Sequence, residues 1–161
     1  MKGQYFRAGA GAVIVDHKGR VLALERSAAP GAWQLPQGGM MKDEEPLATV
    51  LREVEEETGI HEDDLRIMDQ YPEPLTYELP VELRSAKTGR GQAHYWFLFR
   101  HRAGAPIALP SPGEFQRWQW MTFEELIERV VPFRKPVYTR LNAWMKERRR
   151  RSHPIPLWGG L

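Results

Sequence analysis

Three glutamates on one short segment, Glu53, Glu56 and Glu57, constrain this chain more than any other feature. They fall within residues 46–58, where Leu47, Val50, Leu51 and Val54 recur at helical spacing and predict a helix with a buried apolar stripe. Pro46 suits the first turn, Asp43, Glu44 and Glu45 favour the positive end of the helix dipole, and Gly59 suits the C-terminal cap. On such a helix the three carboxylates sit at i, i+3 and i+4, converge on one patch, and repel one another unless protons or cations intervene. Arg52 can reach Glu56 at i,i+4, but one arginine does not balance three acids.

Composition narrows what such a patch can serve. At 161 residues with 42% hydrophobic and 27% charged, the chain has enough apolar material for one ordinary domain, expected over 1–150, with a basic, Pro- and Gly-containing tail over 151–161. The absence of cysteine excludes disulfides, thiolate metal sites and cysteine nucleophiles. No stretch approaches the length of a membrane span and the N-terminus lacks a secretory pattern, so a cytoplasmic protein without membrane contact is expected. Charge is segregated: residues 36–79 hold 13 acidic and 3 basic side chains, and residues 101–161 hold 5 acidic and 11 basic. That pairing suits divalent cations held against a polyanionic substrate, and equally a salt-bridged surface.

Along the chain, Ala8–Val15, a turn at Asp16–Gly19 and Arg20–Glu25 read as a hairpin, and Trp33–Leu35 reads as a short strand stopped at Pro36. Gly38 and Gly39 permit backbone geometry or a close ligand approach that residues with side chains would resist. Ala93–Arg100 is an aromatic core strand, Ser85–Gly91 and Pro106–Gly113 are loops, and Trp118–Met121 is a short strand. Thr122 with Glu125 forms a capping box for a helix to about Arg129, and a last helix covers 134–150 with Val137, Leu141, Trp144 and Met145 inward. Strands on both sides of a long helix, with a terminal helix, predict an α/β sandwich rather than a bundle. Trp33, Trp96, Phe97, Trp118 and Trp120 are read as core residues. His17, His61, His94 and His101 are read as surface or hydrogen-bonding residues rather than catalysts.

The full segment 38–60, GGMMKDEEPLATVLREVEEETGI, holds a glycine, a glutamate six residues later, Arg52-Glu53-Val54, the Glu56-Glu57 pair and Gly59-Ile60. It resembles the signature of the Nudix hydrolase superfamily at every fixed position. The resemblance narrows the fold to an α/β/α sandwich with a mixed sheet, and implies a loop–helix–loop that binds magnesium, with manganese as a substitute, and hydrolyses pyrophosphate bonds. It further implies that Glu53, Glu56 and Glu57 are metal-binding carboxylates, that Gly38 supplies backbone geometry or a carbonyl ligand, that Arg52 orients the carboxylates, and that Glu44 supports the loop. The chemistry is consistent: magnesium prefers hard oxygen ligands, offsets polyphosphate charge and acidifies bound water.

Outside that segment, Tyr77, the Trp33–Gly39 run, Gln92 with Trp96-Phe97, Trp118–Trp120 and Val130–Tyr138 resemble the bacterial branch containing RNA pyrophosphohydrolases and diadenosine tetraphosphate hydrolases. In that branch Glu114 matches a late glutamate that acts as metal contact or base, and a loop position would let it swing onto an attacking water. Arg7, Arg26 and Lys135 are candidate phosphate contacts, and Tyr77 and Phe133 candidate nucleobase platforms. Glu78, standing where related RNA-acting proteins often carry a basic residue, shades the expected substrate toward dinucleoside polyphosphates such as diadenosine tetraphosphate. The alternatives are 5′-triphosphorylated RNA, then nucleoside triphosphates, nucleotide sugars or coenzymes, and, without catalysis, a nucleotide-binding sensor. Monomer and dimer both fit.

Overall fold

The computed structural model describes residues 5–152, so the tail expected over 151–161 lies almost wholly outside the described residues. Among the described residues, eight strands form one mixed sheet: β1 (Phe6–Val15), β2 (Val21–Arg26), β3 (Trp33–Gln34), β4 (Gln37–Gly39), β5 (Leu65–Gln70), β6 (Leu75–Glu78), β7 (Gly91–His101) and β8 (Phe115–Met121). The path β3-β2-β1-β7-β5 is extended by β4 on β1, β6 on β7 and β8 on β2. The central β1 and β7 run parallel in register from Phe6 opposite Gly91 to Val15 opposite Arg100, and the other pairings are antiparallel. Residues 10–15 of β1 are buried on both faces, as an uninterrupted AGAVIV run requires.

One face of the sheet packs on α1 (Pro46–Thr58), through Ala12, Ile14, Leu22, Leu24, Phe97 and Phe99 against Val50 and Val54. The other packs on α2 (Phe123–Arg129) and α3 (Lys135–Ser152), through Val13, Ala23 and Trp96 against Leu126, Tyr138 and Leu141. The α/β/α sandwich is therefore the observed architecture. Among the described residues no helix is long and apolar enough to cross a membrane.

Local chemistry accounts for the element ends. Pro46 opens α1, and Gly59 closes it in the left-handed region (φ 73°), with its N–H donating to the Glu55 carbonyl. The Thr122 hydroxyl accepts from the Glu125 N–H and starts α2. Gly38 and Gly39 lie in strand β4, which pairs Gly39, Gly38 and Gln37 with Gly9, Ala10 and Gly11 of β1. Two expectations need correction. Leu47 is 39% exposed, since the buried face of α1 turns toward Thr49, Val50, Val54, Glu57 and Thr58. Trp118 is also 39% exposed, because β8 is an edge strand paired on β2 alone, while Trp120 packs half-buried against the α1-side core.

Gly11 explains how a tryptophan fits beneath the central strand. A Cβ there would lie 2.3 Å from the Trp96 ring, which is itself 1% exposed. Gly11→Ala is expected to lower stability by about 1–3 kcal/mol, read as a lower denaturant midpoint with an unchanged slope. A midpoint equal to the parent's would mean that Trp96 can shift without cost.

Candidate active site

The glycine strand and the acidic helix meet face to face. A Cβ on Gly38 would lie 2.0 Å from the Glu53 Cδ, so this position admits only glycine while the Glu53 carboxylate stays where it is. The Gln37 N–H donates to Glu57 Oε1 at 3.2 Å, and Glu57 Oε2 is buried with no hydrogen-bond partner among the described residues. Glu57 is 6% exposed and lies on the buried face of α1, in line with Val50 and Val54, so the apolar stripe and the carboxylates are not separate faces.

Arg52 ties the patch together. Its Nε and Nη2 donate to Glu44 Oε2 and Oε1 at 2.8 and 2.9 Å, and Nη2 also donates to the Gly39 carbonyl at 2.9 Å. Its Nη1 donates to Glu53 Oε1 at 2.8 Å and to Glu56 Oε2 at 3.4 Å. Glu44 further accepts from the Met41 N–H and the Thr49 hydroxyl, so its carboxylate braces the loop ahead of α1, as the resemblance implied. These donors, Arg52 first, hold the Glu44 pKa down to about 2.

The remaining carboxylates lack such compensation. Burial, chiefly, raises the Glu53 pKa despite Arg52, with the charges of Glu56 and Glu114 adding to it. Burial raises Glu57 further, reinforced by Glu53 and Glu114. Glu114 stands exposed in the loop before β8, its carbonyl accepting from the Ser27 N–H at 2.8 Å, and it is felt by both buried glutamates. Among the described residues no three acidic or histidine side chains are already gathered tightly around one point. The donor set nonetheless suits a hard divalent cation: an unpartnered buried carboxylate oxygen and mutually repelling acids are what such an ion would relieve.

The substrate-side residues form a second group. A Cβ on Gly39 would meet the Arg7 guanidinium at 2.3 Å, which places Arg7 directly over the glycine strand. Gln34 Oε1 accepts from Arg26 Nη1 at 3.2 Å and from Arg134 Nη1 at 2.8 Å. Arg134 lies over the rings of Tyr77 and Phe133, at 5.5 and 5.3 Å from their centroids. Tyr77 is buried, its hydroxyl accepting from Gln37 Nε2 and donating to Gln92 Oε1. Its ring is packed 5.5 Å from that of Phe133, and Phe133 is the half-buried one of the two. Lys135 is exposed at the start of α3. Arg134, not singled out from the sequence, is the buried cation of this group; its place beside Phe133 in a Phe-Arg-Lys run was the available signal.

A mixed sheet that presses a glycine strand against a carboxylate-edged helix, with a late glutamate and arginines close by, defines an enzyme class that cleaves phosphoanhydrides with the help of divalent cations. The family model of the NUDIX domain matches residues 5–141, and the chain belongs to this family of hydrolases acting on phosphoanhydride bonds, a superfamily for which magnesium dependence is a defining feature. Among curated relatives, the RNA pyrophosphohydrolase of Erythrobacter litoralis is 39% identical over 141 residues, covering 83% of this chain and 86% of the relative. That of Gluconacetobacter diazotrophicus is 39% identical over 150 residues, covering 84% and 89%. Among solved structures, a C. elegans Ap4A hydrolase complex superposes with a TM-score of 0.68 at 22% identity over 88% of this chain and 98% of its own, which establishes shared fold.

Proposed function

We propose that this enzyme removes pyrophosphate from the 5′ end of triphosphorylated RNA. The observation that carries the reading is the level of identity to relatives named RNA pyrophosphohydrolase, which extends over nearly their whole length. Glu78, which shaded the expectation toward a dinucleoside polyphosphate, is ion-paired with Arg90 just ahead of β7, so its charge is offset rather than turned on an incoming polyanion.

In this reading Glu53, Glu56 and Glu57, with the Gly38 carbonyl, would hold magnesium. A bound magnesium ion offsets polyphosphate charge and lowers the pKa of its water. Glu114, on its exposed loop, accepts the proton of the attacking water. Arg52 fixes the orientation of Glu53 and Glu56 through the contacts it makes with both. Arg7 and Arg26 meet phosphate oxygens, Lys135 extends the positive field outward, and Phe133 stacks on the first base, with Arg134 and Tyr77 beneath it.

The test is a side-by-side rate comparison, with magnesium, of 5′-triphosphorylated RNA, diadenosine tetraphosphate, ADP-ribose and a deoxynucleoside triphosphate, with product identification. The RNA is expected to show the highest kcat/KM and to yield pyrophosphate and a 5′-monophosphate end. A higher value for diadenosine tetraphosphate would return the substrate to the dinucleotide class, leaving the hydrolytic machinery in place.

A further inference from the structure

Trp118 is the large aromatic side chain the fold leaves without an explanation. It stands on the edge strand β8, 39% exposed, its ring edge-on to Trp120 at 6.5 Å. Trp118 and Trp120 alternate along β8 and share the face on which α1 lies, because their β2 partners Leu24 and Leu22 pack under that helix. The 103–110 loop runs beside them and leaves two adjoining cavities that meet at Trp118. One, of about 280 Å³, is lined by Arg20, His101, Ile107, Trp118 and Trp120 among others; the next, of about 380 Å³, lies between Leu109 and Gln116.

The inner cavity has a specific polar lining. His101 is 8% exposed, packs on Trp120 at 5.4 Å, and its Nε2 is buried without a hydrogen-bond partner among the described residues. Its other nitrogen engages the Ala105 backbone, and burial holds its pKa below the usual histidine value, so Nε2 is a bare acceptor at neutral pH. Arg20 spends Nε and Nη2 on the carboxylate of Asp16, leaving the Nη1 edge of its guanidinium as a donor. Two indoles, a buried neutral acceptor and a donor edge match a flat, uncharged ring bearing both an N–H donor and an acceptor. They do not match a phosphate, since Asp16 already neutralises Arg20 and the histidine is neutral.

We infer that the groove between β8 and the 103–110 loop is a second subsite that receives a nucleobase of the substrate, stacked on Trp118 and hydrogen-bonded by His101 and Arg20. This inference rests on the phosphohydrolase reading only for where the base comes from. Glu114 stands in the loop just before β8 and Trp118 lies four residues on, past the irregular register opposite Glu25 and Arg26, no more than about 14 Å away, so the groove is a separate place from the Glu114 loop and suits a nucleotide further along the same substrate. A triphosphorylated oligonucleotide carries such a base downstream; a dinucleoside polyphosphate carries one at its far end.

The experiment uses the full chain and Trp118→Ala, with Trp118→Phe as the ring-retaining control. Binding of an unphosphorylated adenosine hexanucleotide, followed by calorimetry, is expected to weaken about tenfold in Trp118→Ala and to recover in Trp118→Phe. With magnesium, KM for a triphosphorylated hexanucleotide should rise by a similar factor with kcat unchanged, while a triphosphorylated mononucleotide shows no change. A matching rise for diadenosine tetraphosphate and none for the RNA would assign the base to the dinucleotide. Parental affinity for the hexanucleotide together with parental KM for every substrate in Trp118→Ala would overturn the subsite. If the parent leaves triphosphorylated RNA intact but Trp118→Ala still loses hexanucleotide binding, the substrate reading fails and the subsite stands.

Discussion

Glu57→Gln is expected to lower kcat by on the order of a hundredfold or more at saturating magnesium, while the protein without metal becomes more stable at neutral pH. The two effects have one cause. Glu57 is buried beneath α1 with one oxygen unpartnered, so its negative charge is costly in the free protein and becomes useful only when a cation shares it. Because burial raises its folded pKa above 4.5, its favourable contribution is complete below about pH 4.5 and is lost as pH rises through the raised value. The stability of Glu57→Gln minus that of the parent, measured in chelator, should therefore grow as pH is raised from about 4.5 toward neutrality. Buried His94, with a pKa pushed down to about 3, and His101 favour folding increasingly as pH rises toward 6.5, but they are present in both proteins and cancel in the difference. Magnesium should stabilise the parent more than the variant. A variant with parental turnover and a parental response to magnesium would remove Glu57 from the site.

How much of this could be read from the sequence depends on what kind of signal each residue carried. The extent of α1, its Pro46 start and its Gly59 end were legible because helix period and cap chemistry are local. Which way α1 faces was not. Period alone assigned Leu47 to the core and left the burial of Glu57 unread, whereas packing against β1 turns Glu57 inward and leaves Leu47 out. The pairing of β4 was hidden because Gly38 and Gly39 have no side chains to alternate, and only the close approach of Glu53 shows why glycine stands there. Tyr77 was legible as belonging to the site but not as a buried brace, because its partners Gln37, Gln92 and Arg134 come from three other segments. Trp118 was misread as core for a related reason: an aromatic strand looks the same in sequence whether it lies at the centre of a sheet or at its edge. Glu114 was found through resemblance alone, since nothing local distinguishes it from any solvated loop acid.

Arg52 separates charge from geometry more sharply than the acids do. Three guanidinium nitrogens serve two oxygens of Glu44, one each of Glu53 and Glu56, and the Gly39 carbonyl, so one side chain fixes the loop, the helix and the glycine strand together. Arg52→Ala removes the principal counter-charge from carboxylates that cannot all reach water, and is expected to lower the thermal midpoint and to cost activity on the order of ten- to a hundredfold, as loss of a residue orienting metal ligands does. Arg52→Lys restores the charge but offers one nitrogen where the fork offered three, so it can neutralise Glu44 or Glu53 but cannot hold both in register. The lysine variant should therefore recover much of the thermal stability while the magnesium concentration for half-maximal rate stays raised. A role limited to neutralising charge makes a different forecast, in which lysine restores both. Thermal melts and magnesium titrations of the two variants distinguish these outcomes, and full restoration of the magnesium response by lysine would show that Arg52 acts as a charge rather than as the fork that positions Glu53 and Glu56.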